Sequence, residues 1–251
     1  MNNPAQLHNL VCLVTGASRG LGRAVALEFA RHGASLVINS RSASASGLAE
    51  TERQLKALGA QSLSVLADVS QRLDIERLAG EALARFGHVD VLVNNASALG
   101  PTPMPYLIDY PIDDFQSVLQ TNVVGPFMLT RALVGQMLTR GSGSIINISS
   151  DAGVVGYPTW GAYGVSKAAL DHLTRTWAAE LNGSGVRINS VDPGDMDTAM
   201  KRASEPEGDA SQWARPESVT PVFVYLASPE SSGVNGQRLS AQEFIAAKHS
   251  P

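Results

Sequence analysis

The sequence predicts an α/β fold: a doubly wound parallel sheet with helices on both faces. Three observations support this prediction. Short apolar runs alternate with helix-length amphipathic segments over most of the chain. The runs are continuously apolar, as in strands that are buried on both faces of a parallel sheet. The connecting helices are long enough for right-handed βαβ crossovers, and no linker interrupts the pattern, so we expect a single domain spanning residues 1–251.

The elements follow one another in pairs. The first three strand–helix pairs are LVCLVTG with LGRAVALEFARHGA, SLVINS with GLAETERQLKALGA, and SLSVLADV with DIERLAGEALARFG. A fourth strand, VDVLVNNA, precedes a long helix predicted over Asp113–Thr139. The fifth strand is SIINISS, a helix is predicted over Gly161–Asn182, and VRINSVDPG is the sixth strand. Two irregular stretches, SALGPTPMPYLIDYP and residues 195–217, follow strand ends, where doubly wound sheets bind ligands, and we expect the second to form a lid.

Composition excludes several classes of protein. Apolar residues make up 44% of the 251 residues and charged residues 17%, which is typical of a globular chain. A net charge of −4 gives no reason to expect a nucleic-acid partner. The single cysteine, the scattered histidines and the absence of a signal-like start or a membrane-length apolar run predict a cytoplasmic protein without a metal site.

A glycine-rich loop, TGASRGLG, lies between the first strand and the first helix. Glycines in the pattern G-x-x-x-G-x-G allow a tight turn and a close approach to a pyrophosphate, while the helix N-terminus offers free N–H groups. We therefore predict a dinucleotide site that includes residues Gly16, Ser18, Arg19, Gly20, Leu21 and Gly22.

The end of the second strand indicates which dinucleotide is bound. An acidic residue about 20 positions beyond the glycines would bind the ribose 2′-hydroxyl of NAD. Ser40 stands there instead, followed by Arg41, and Arg19 lies in the glycine loop. Because a guanidinium binds a 2′-phosphate well, we predict NADP(H), although the two arginines could also be ordinary surface residues.

Tyr163 and Lys167 are four residues apart and so share one face of the predicted helix. A free tyrosine, with a pKa of about 10, is a poor acid or base at neutral pH, and moving its pKa to about 7 needs roughly 4 kcal/mol. A positive charge about 4 Å away supplies a similar energy at an effective dielectric near 20. Ser150 precedes the tyrosine by 13 residues at a strand end, where its hydroxyl could stabilise charge on a carbonyl oxygen.

Seven short motifs occur in the order found in one known family. They are TGASRGLG, DV at 68–69, NNA at 94–96, TNVVG at 121–125, INISS, YGVSK and DPG at 192–194. From about residue 8 to residue 240, the chain resembles the classical short-chain dehydrogenases/reductases, which have a Rossmann-like fold.

The resemblance implies a role for each matching position. Tyr163 would be the general acid/base, Lys167 would lower its pKa and bind the nicotinamide ribose, and Ser150 would orient the carbonyl or alcohol. Asn122 would hold a water that relays protons to Lys167. The remaining cofactor contacts implied by the family are Asp68, Val69, Asn94, Ala96, Pro193, Gly194 and Thr198.

The sequence departs from the family pattern at two places. NNAS replaces the commoner NNAG, so Ser97 adds a side chain near the cofactor, and we expect this to be tolerated. Asp195 and Asp197 lie beside the expected nicotinamide site, where they could repel acidic substrates or remain inert at the surface.

These patterns together predict reversible hydride transfer between NADP(H) and a small to medium carbonyl/alcohol substrate. An apolar pocket wall is predicted at Leu99, Tyr106, Tyr157, Trp160 and Met196, although such side chains are core fillers at least as often. Two alternatives stay open. One is a 3-ketoacyl carrier-protein reductase, which is disfavoured because AAELNGSG at 178–185 lacks basic residues to meet an acidic carrier. The other is a non-catalytic NADP-binding sensor or scaffold. The resemblance also implies a homo-oligomer, a dimer or tetramer formed through the two long helices.

Overall fold

The computed structural model describes residues 6–249 and places the strands of this range in one seven-stranded parallel sheet. The predicted α/β fold class is confirmed. The strands are β1 (Val11–Val14), β2 (Ser35–Ser40), β3 (Ser62–Leu66), β4 (Val91–Asn94), β5 (Gly143–Ile148), β6 (Val186–Asp192) and β7 (Arg238–Ser240).

Helices cover both faces of the sheet. Their bounds are α1 (Gly20–Arg31), α2 (Ala45–Ala57), α3 (Arg72–Phe86), α4 (Ile112–Leu119), α5 (Gly125–Arg140), α6 (Gly161–Glu180), α7 (Ala199–Ser204), α8 (Pro221–Ala227) and α9 (Ala241–His249). Among these described helices none is long and apolar enough to cross a membrane.

The strand order is β3-β2-β1-β4-β5-β6-β7, with every neighbouring pair parallel. The chain winds outward from β1 in one direction and then returns to the middle to continue from β4 in the other. The strand order therefore reverses between β1 and β4, and the crevice outside the carboxyl ends of the strands at such a point is where open α/β sheets bind ligands.

Successive strand residues supply two apolar layers, because side chains alternate between the faces of a sheet. Cys12 and Val14 of β1 pack with Phe29 of α1 on one face, whereas Leu13 packs on the other face with Leu133 of α5. All five side chains are fully buried, at 0% exposure. The sheet is thus a rigid centre whose carboxyl edge holds the loops of the cleft in place.

The prediction of one long helix over Asp113–Thr139 is wrong in its middle. The segment Gln120–Val124 forms a π-helical turn between α4 and α5, which widens the helix locally and displaces its backbone hydrogen bonds.

Strand β7 and helices α8 and α9 were not predicted. Arg238–Ser240 is only three residues long and half-buried, so it carries no periodic signal. The first five residues, which bear on the predicted lack of a signal segment, lie outside the described range.

Candidate active site

A cavity of about 810 Å³ runs along the carboxyl ends of the strands. It is lined at one end by the glycine loop and the end of β2, and at the other by the residues after β5 and β6. Of the predicted site residues, those that line it are Gly16, Ser18, Arg19, Gly20, Leu21, Gly22, Ser40, Arg41, Asp68, Val69, Ala96, Leu99, Ser150, Tyr157, Trp160, Tyr163, Lys167, Pro193, Gly194, Met196 and Thr198. Asn94 and Asn122 are buried behind this wall.

The glycine loop lies so close to β4 that side chains would not fit. Gly16 has a φ of +66°, and a Cβ there would lie 2.9 Å from the Cα of Ala96. At Gly22 a Cβ would collide with the side chain of Asn95 and lie 2.5 Å from the carbonyl oxygen of Gly16. The Asn95 amide donates to the carbonyl oxygen of Thr15 at 2.8 Å, which fixes the start of the loop. The loop therefore forms a narrow backbone cradle at the N-terminus of α1, suited to a pyrophosphate.

A brace behind the loop was not predicted from the sequence. The Arg23 guanidinium donates to the carbonyl oxygen of Ser18, to that of Gly47 at 3.2 Å, and to the Thr51 hydroxyl at 3.0 Å. The Thr51 hydroxyl donates to the carbonyl oxygen of Ala17 at 2.9 Å. These bonds join α1, α2 and the loop into one unit. A lone arginine in a helix gives no sequence signal for such a role.

The end of β2 presents hydroxyls and cations to the cavity. Arg19 and Arg41 are exposed, and both line the cavity. Ser40 is buried and its hydroxyl donates to the carbonyl oxygen of Arg41 at 3.2 Å. Ser44 lines the same corner at the start of α2. Neither guanidinium forms an ion pair with any residue in the range 6–249, and both lie beside hydroxyls and a helix N-terminus, an arrangement that fits a 2′-phosphate.

The adenosine side of the prediction is met only in part. Asp68 and Val69 line the cavity, and Asp68 also accepts a bond from the backbone N–H of Ser70 at 2.8 Å. The Asn94 side chain points away, donating to the Asn147 side-chain oxygen at 2.8 Å inside the sheet. Its neighbour Asn95 faces the loop instead. Strand alternation explains this, because consecutive side chains leave opposite faces.

Three of the predicted catalytic side chains meet at the other end of the cavity. Tyr163 and Ser150 both line this end of the cavity, close enough for the serine to lower the pKa of the phenol. Lys167 is 2% exposed, and its ammonium lies 5.2 Å from the centre of the Tyr163 ring and donates to the carbonyl oxygen of Ile148 at 2.7 Å. Trp160 packs edge-on against Tyr163, with ring centres 5.6 Å apart. The helix spacing thus places Tyr163 and Lys167 together, and the end of β5 brings Ser150 to them.

The pKa of Tyr163 is raised, whereas the sequence predicts that Lys167 lowers it. Burial raises the pKa of its hydroxyl well above the ordinary value, the hydrogen bond with Ser150 lowers it, and the carboxylates Asp192 and Asp151 raise it further. The phenol is therefore protonated at neutral pH but a weak acid, so proton donation needs nearby positive charge to lower its pKa. Burial also lowers the pKa of Lys167 to about 8, against the opposing influence of Asp171 and Asp192.

A buried charged network lies behind Lys167. Asp171, one helical turn further along α6, accepts a bond from the Ser149 hydroxyl at 2.7 Å and pairs with Arg238 at 3.2 Å. Arg238 also binds Asp192 at 2.8 Å. Arg238 lies in the unpredicted strand β7, so no sequence pattern indicates that it would approach Asp171. The network holds two carboxylates near Lys167 with one cation between them.

Asn122 sits in the π-helical turn with all side-chain hydrogen-bonding positions used by the protein. Its amide donates to the carbonyl oxygen of Ala98 at 2.8 Å and to the Ser166 hydroxyl at 2.9 Å. Its oxygen accepts from the backbone N–H of Ala98 at 2.7 Å and from the Ser97 hydroxyl at 3.1 Å. The side chain thus ties the turn to the loop after β4 and to α6, so any water held here would have to bind the backbone.

The segment after β6 forms the outer wall of the cleft. Thr198 caps α7, its hydroxyl accepting from the backbone N–H of Lys201 at 3.2 Å. Lys201 binds Asp195 at 2.6 Å and Glu205 at 2.5 Å. Met196 forms a parallel bridge with Ala214. The segment expected to form a lid is thus held in place by these ion pairs and by the bridge to Ala214.

The predicted substrate wall is mixed. Leu99, Tyr157, Trp160 and Met196 line the cavity, whereas Tyr106 is 61% exposed and does not.

Asp151 was not predicted; it is exposed and lines the cavity beside Ser150. Its position directly after the serine was the available signal. Within residues 6–249 no group of three or more His, Cys, Asp or Glu side chains is arranged to hold a metal ion.

Similarity to known proteins agrees with this geometry. Residues 10–209 match the model of a protein family that is described as short chain dehydrogenase. A 3-oxoacyl-acyl-carrier-protein reductase, FabG, of Thermotoga maritima is 35% identical, with 92% of this chain and 96% of that protein aligned. A short chain dehydrogenase structure from Pseudomonas syringae superposes with a TM-score of 0.91 at 40% identity, covering 96% of this chain and 98% of the other.

Two further structures carry different cofactors. A short chain dehydrogenase from Shigella flexneri complexed with NADP has a TM-score of 0.87 at 28% identity, covering 96% of this chain and all of the other. An NAD+-bound xylitol dehydrogenase has a TM-score of 0.85 at 29% identity, covering 94% and 98%. The family match over residues 10–209, together with these relatives, places this chain in the short-chain dehydrogenase/reductase family of oxidoreductases.

Proposed function

We propose that this enzyme transfers hydride reversibly between NADP(H) and a small to medium neutral carbonyl/alcohol pair. The observation that carries the proposal is the meeting of Ser150, Tyr163 and Lys167 at one end of a cavity whose other end is the glycine loop. A site for a dinucleotide and a site for proton transfer are thereby continuous.

The residues of the cavity fit a dinucleotide. The cradle formed by Gly16 and Gly22 leaves room for a pyrophosphate against backbone, and Arg19 and Arg41 flank the corner suited to a 2′-phosphate. Pro193, Gly194 and Thr198 would hold the nicotinamide end. When bound, the cofactor supplies or accepts the hydride and, in its oxidised form, adds a positive charge near the phenol.

In the reductive direction, Tyr163 donates its proton to the substrate oxygen, while Ser150 stabilises the charge that develops there. The raised pKa of Tyr163 opposes this donation, so positive charge from Lys167 and from the oxidised cofactor would have to lower it. Lys167, whose ammonium donates to the carbonyl oxygen of Ile148, would bind the ribose of the cofactor and pass a proton toward Tyr163. Asn122 holds the π-helical turn against α6, which places the backbone groups that would bind a relaying water.

The residues at the end of β2 support NADP(H) rather than NAD(H). No carboxylate stands at the end of β2, where Ser40 and Arg41 occur instead. The fold itself does not decide, since the Shigella flexneri structure holds NADP and the xylitol dehydrogenase NAD+. The choice therefore depends on Arg19 and Arg41.

The relative named as a 3-oxoacyl-acyl-carrier-protein reductase favours a second candidate function, the reduction of carrier-bound 3-ketoacyl groups. An acidic carrier would need basic residues around the mouth of the cleft. Of the cations at that wall, Lys201 is engaged by Asp195 and Glu205, and Arg202 by Asp197 at 2.7 Å. A free small carbonyl compound is therefore the preferred substrate class.

The test is a panel of ketones, aldehydes and a carrier-linked ketoacyl thioester, each run with NADPH and NADH. We expect turnover with NADPH, and Tyr163→Phe should lower kcat by about 10²–10⁴-fold while NADPH still binds. Preference for the carrier thioester would support the second candidate. Strong cofactor binding without any turnover, unchanged by Tyr163→Phe, would identify a sensor or scaffold instead.

We also propose that the chain acts in the cytoplasm as a homo-oligomer. The lack of a membrane-spanning helix within residues 6–249 is compatible with this location. Exposed apolar side chains at the start of the first of the two long helices support self-association. Ile108, just before α4, is 92% exposed, and Ile112, the first residue of α4, is 75% exposed.

A further inference from the structure

A carboxylate stands directly against the catalytic serine. Asp151 Oδ1 accepts from the Ser150 hydroxyl at 3.0 Å and from the backbone N–H of Ala152 at 2.8 Å. Asp151 Oδ2 accepts from the Tyr157 hydroxyl at 2.9 Å. A carboxylate has about four acceptor positions, so one on Oδ2 is still available. Three donors hold this side chain in a fixed orientation although it is exposed to the cavity.

The charge of Asp151 is not balanced by a neighbouring cation. Among the described residues, Asp192 pairs with Arg238, Asp195 with Lys201 and Asp197 with Arg202, but Asp151 forms no ion pair. Asp151, Asp195 and Asp192 together raise the pKa of the Tyr157 hydroxyl, first through its hydrogen bond with Asp151. The substrate end of the cavity is therefore negative, with its unpaired charge next to the reacting centre.

The distances define which substrate group could use this charge. Ser150 would hold the substrate oxygen, and the carboxylate oxygen lies 3.0 Å from the Ser150 hydroxyl. Two heteroatoms on adjacent carbons can lie about a hydrogen-bond length apart. A molecule with a donor on the carbon next to its carbonyl can therefore span both residues at once, with the carbonyl on Ser150 and the donor on Asp151.

We propose that Asp151 is a specificity-determining residue that selects carbonyl compounds carrying a hydroxyl or ammonium group on the carbon adjacent to the carbonyl. This inference rests on the proposed reductase function. Such a donor would take the acceptor position on Oδ2 that the protein leaves available, beside the Ser150 hydroxyl that would hold the substrate oxygen. An anionic group at the same position would face an unpaired carboxylate and be rejected.

Four ketones of the form CH3–CO–CH2–X test the proposal because they differ in one group. They are butanone, hydroxyacetone, aminoacetone and acetoacetate, assayed with NADPH at pH 6.5, where aminoacetone carries an ammonium group. For the unmodified enzyme, kcat/KM should be highest for aminoacetone, followed by hydroxyacetone, and lowest for acetoacetate. In Asp151→Asn, the ratio of kcat/KM for aminoacetone to that for butanone should fall at least tenfold, and the acetoacetate to butanone ratio should rise.

Asp113→Asn is the matched control, because it removes the same charge from an exposed position in the first turn of α4; it should preserve both ratios. A binding measurement avoids turnover. With NADP+ present, 1-amino-2-propanol should raise the Tm of the unmodified protein more than 2-butanol does, and Asp151→Asn should abolish the difference.

The outcomes separate the two proposals. If the enzyme reduces butanone but Asp151→Asn changes kcat/KM for all four ketones by one common factor, the role of Asp151 in selection is refuted and the reductase function stands. If no ketone is reduced with either cofactor and neither alcohol shifts the Tm, the proposed function fails and the inference fails with it.

Discussion

At the scale of single residues, Arg41 offers a direct test of cofactor choice. It is exposed, lines the corner at the end of β2 and forms no ion pair among the described side chains. Hydrogen bonds from a guanidinium to a phosphate contribute about 1.5–3 kcal/mol. Arg41→Ala should therefore raise KM for NADPH by roughly 10–100-fold and leave KM for NADH nearly unchanged. Steady-state kinetics with both cofactors measure this, with Arg85→Ala on α3 as the charge-matched control; an equal rise for both cofactors would contradict it.

Asp171 provides a second residue-scale test, through pH. The pKa of Lys167 is lowered by burial to about 8, and Asp171 is the largest influence acting in the opposite direction. Because the proposed mechanism uses the ammonium form of Lys167, the rate should decline as pH rises through about 8. Asp171→Asn removes the opposing carboxylate, so the decline should begin at a lower pH. A pH profile of kcat/KM measures the shift, and Ser149→Ala, which removes a hydrogen bond to Asp171 without changing its charge, should shift it less.

The same lysine contributes to stability with a sign that follows from its pKa. The folded-state pKa of about 8 lies below the ordinary value of 10.5, so the unfolded chain binds more protons between these two pH values. The free-energy cost of burying the ammonium is fully present below about pH 8 and is relieved as pH rises toward 10.5. This group alone therefore adds stability with rising pH in that window.

Residue-level prediction from the sequence succeeded where spacing within one helix sufficed. Tyr163 and Lys167 lie together because four residues make about one helical turn. Asp171 could be placed on the same face by the same rule, but its partner Arg238 is 67 positions away in a short edge strand. The direction of the Tyr163 pKa also depends on burial and on two distant carboxylates, which no local pattern contains.

At the scale of elements, the π-helical turn between α4 and α5 depends on Asn122. Asn122→Ala removes the side-chain partners of the half-buried backbone N–H and C=O of Ala98, at about 0.5–1.5 kcal/mol for each hydrogen bond. The Tm should fall by roughly 2–12 °C for a chain of this size. Thermal unfolding measures the change. Ser97→Gly removes one of the bonds to Asn122 and should lower the Tm by less than half as much; a larger fall would contradict the anchoring role.

Element prediction succeeded for the first six strands because each is a short apolar run that a glycine or polar residue ends. The turn at Gln120–Val124 escaped prediction because TNVVG has the composition of an ordinary helix. The four side-chain hydrogen bonds that Asn122 forms in this turn reach Ser97, Ala98 and Ser166, which no local pattern contains. The wall after β6 was seen only as an acidic, irregular stretch. Its ion pairs join residues that are separated by a helical turn or more.

At the scale of the whole molecule, the outer face of α5 and α6 is the proposed self-association surface. Phe127 of α5 stacks on Trp177 of α6, with ring centres 6.2 Å apart, and is 36% exposed. Phe127→Asp should shift the sedimentation mass toward that of a monomer, because burying the new charge at an interface is unfavourable. Leu73→Asp is the control, since Leu73 is 71% exposed and belongs to α3, not to α5 or α6. A monomeric unmodified protein would contradict the proposal.

The doubly wound topology was predictable because it follows from alternation alone, whereas the identity of the substrate was not. The fold determines where the cavity lies, and its polarity comes from individual side chains such as Asp151 that no regular pattern specifies. The order of the short motifs along the chain thus indicates the class of reaction. Substrate choice depends on a few cavity residues.

The fastening of the cleft wall by Lys201 affects how the enzyme should exchange its ligands. If α7 moves outward to admit a dinucleotide, the ammonium must separate from Asp195 or Glu205, and both of those carboxylates are reached by solvent ions. Dissolved salt weakens such attractions. Release of the product nucleotide should therefore be faster at high salt, whereas its binding at the proposed Arg19 and Arg41 site should be slower. If release of the nucleotide limits turnover, kcat should then be highest at an intermediate ionic strength.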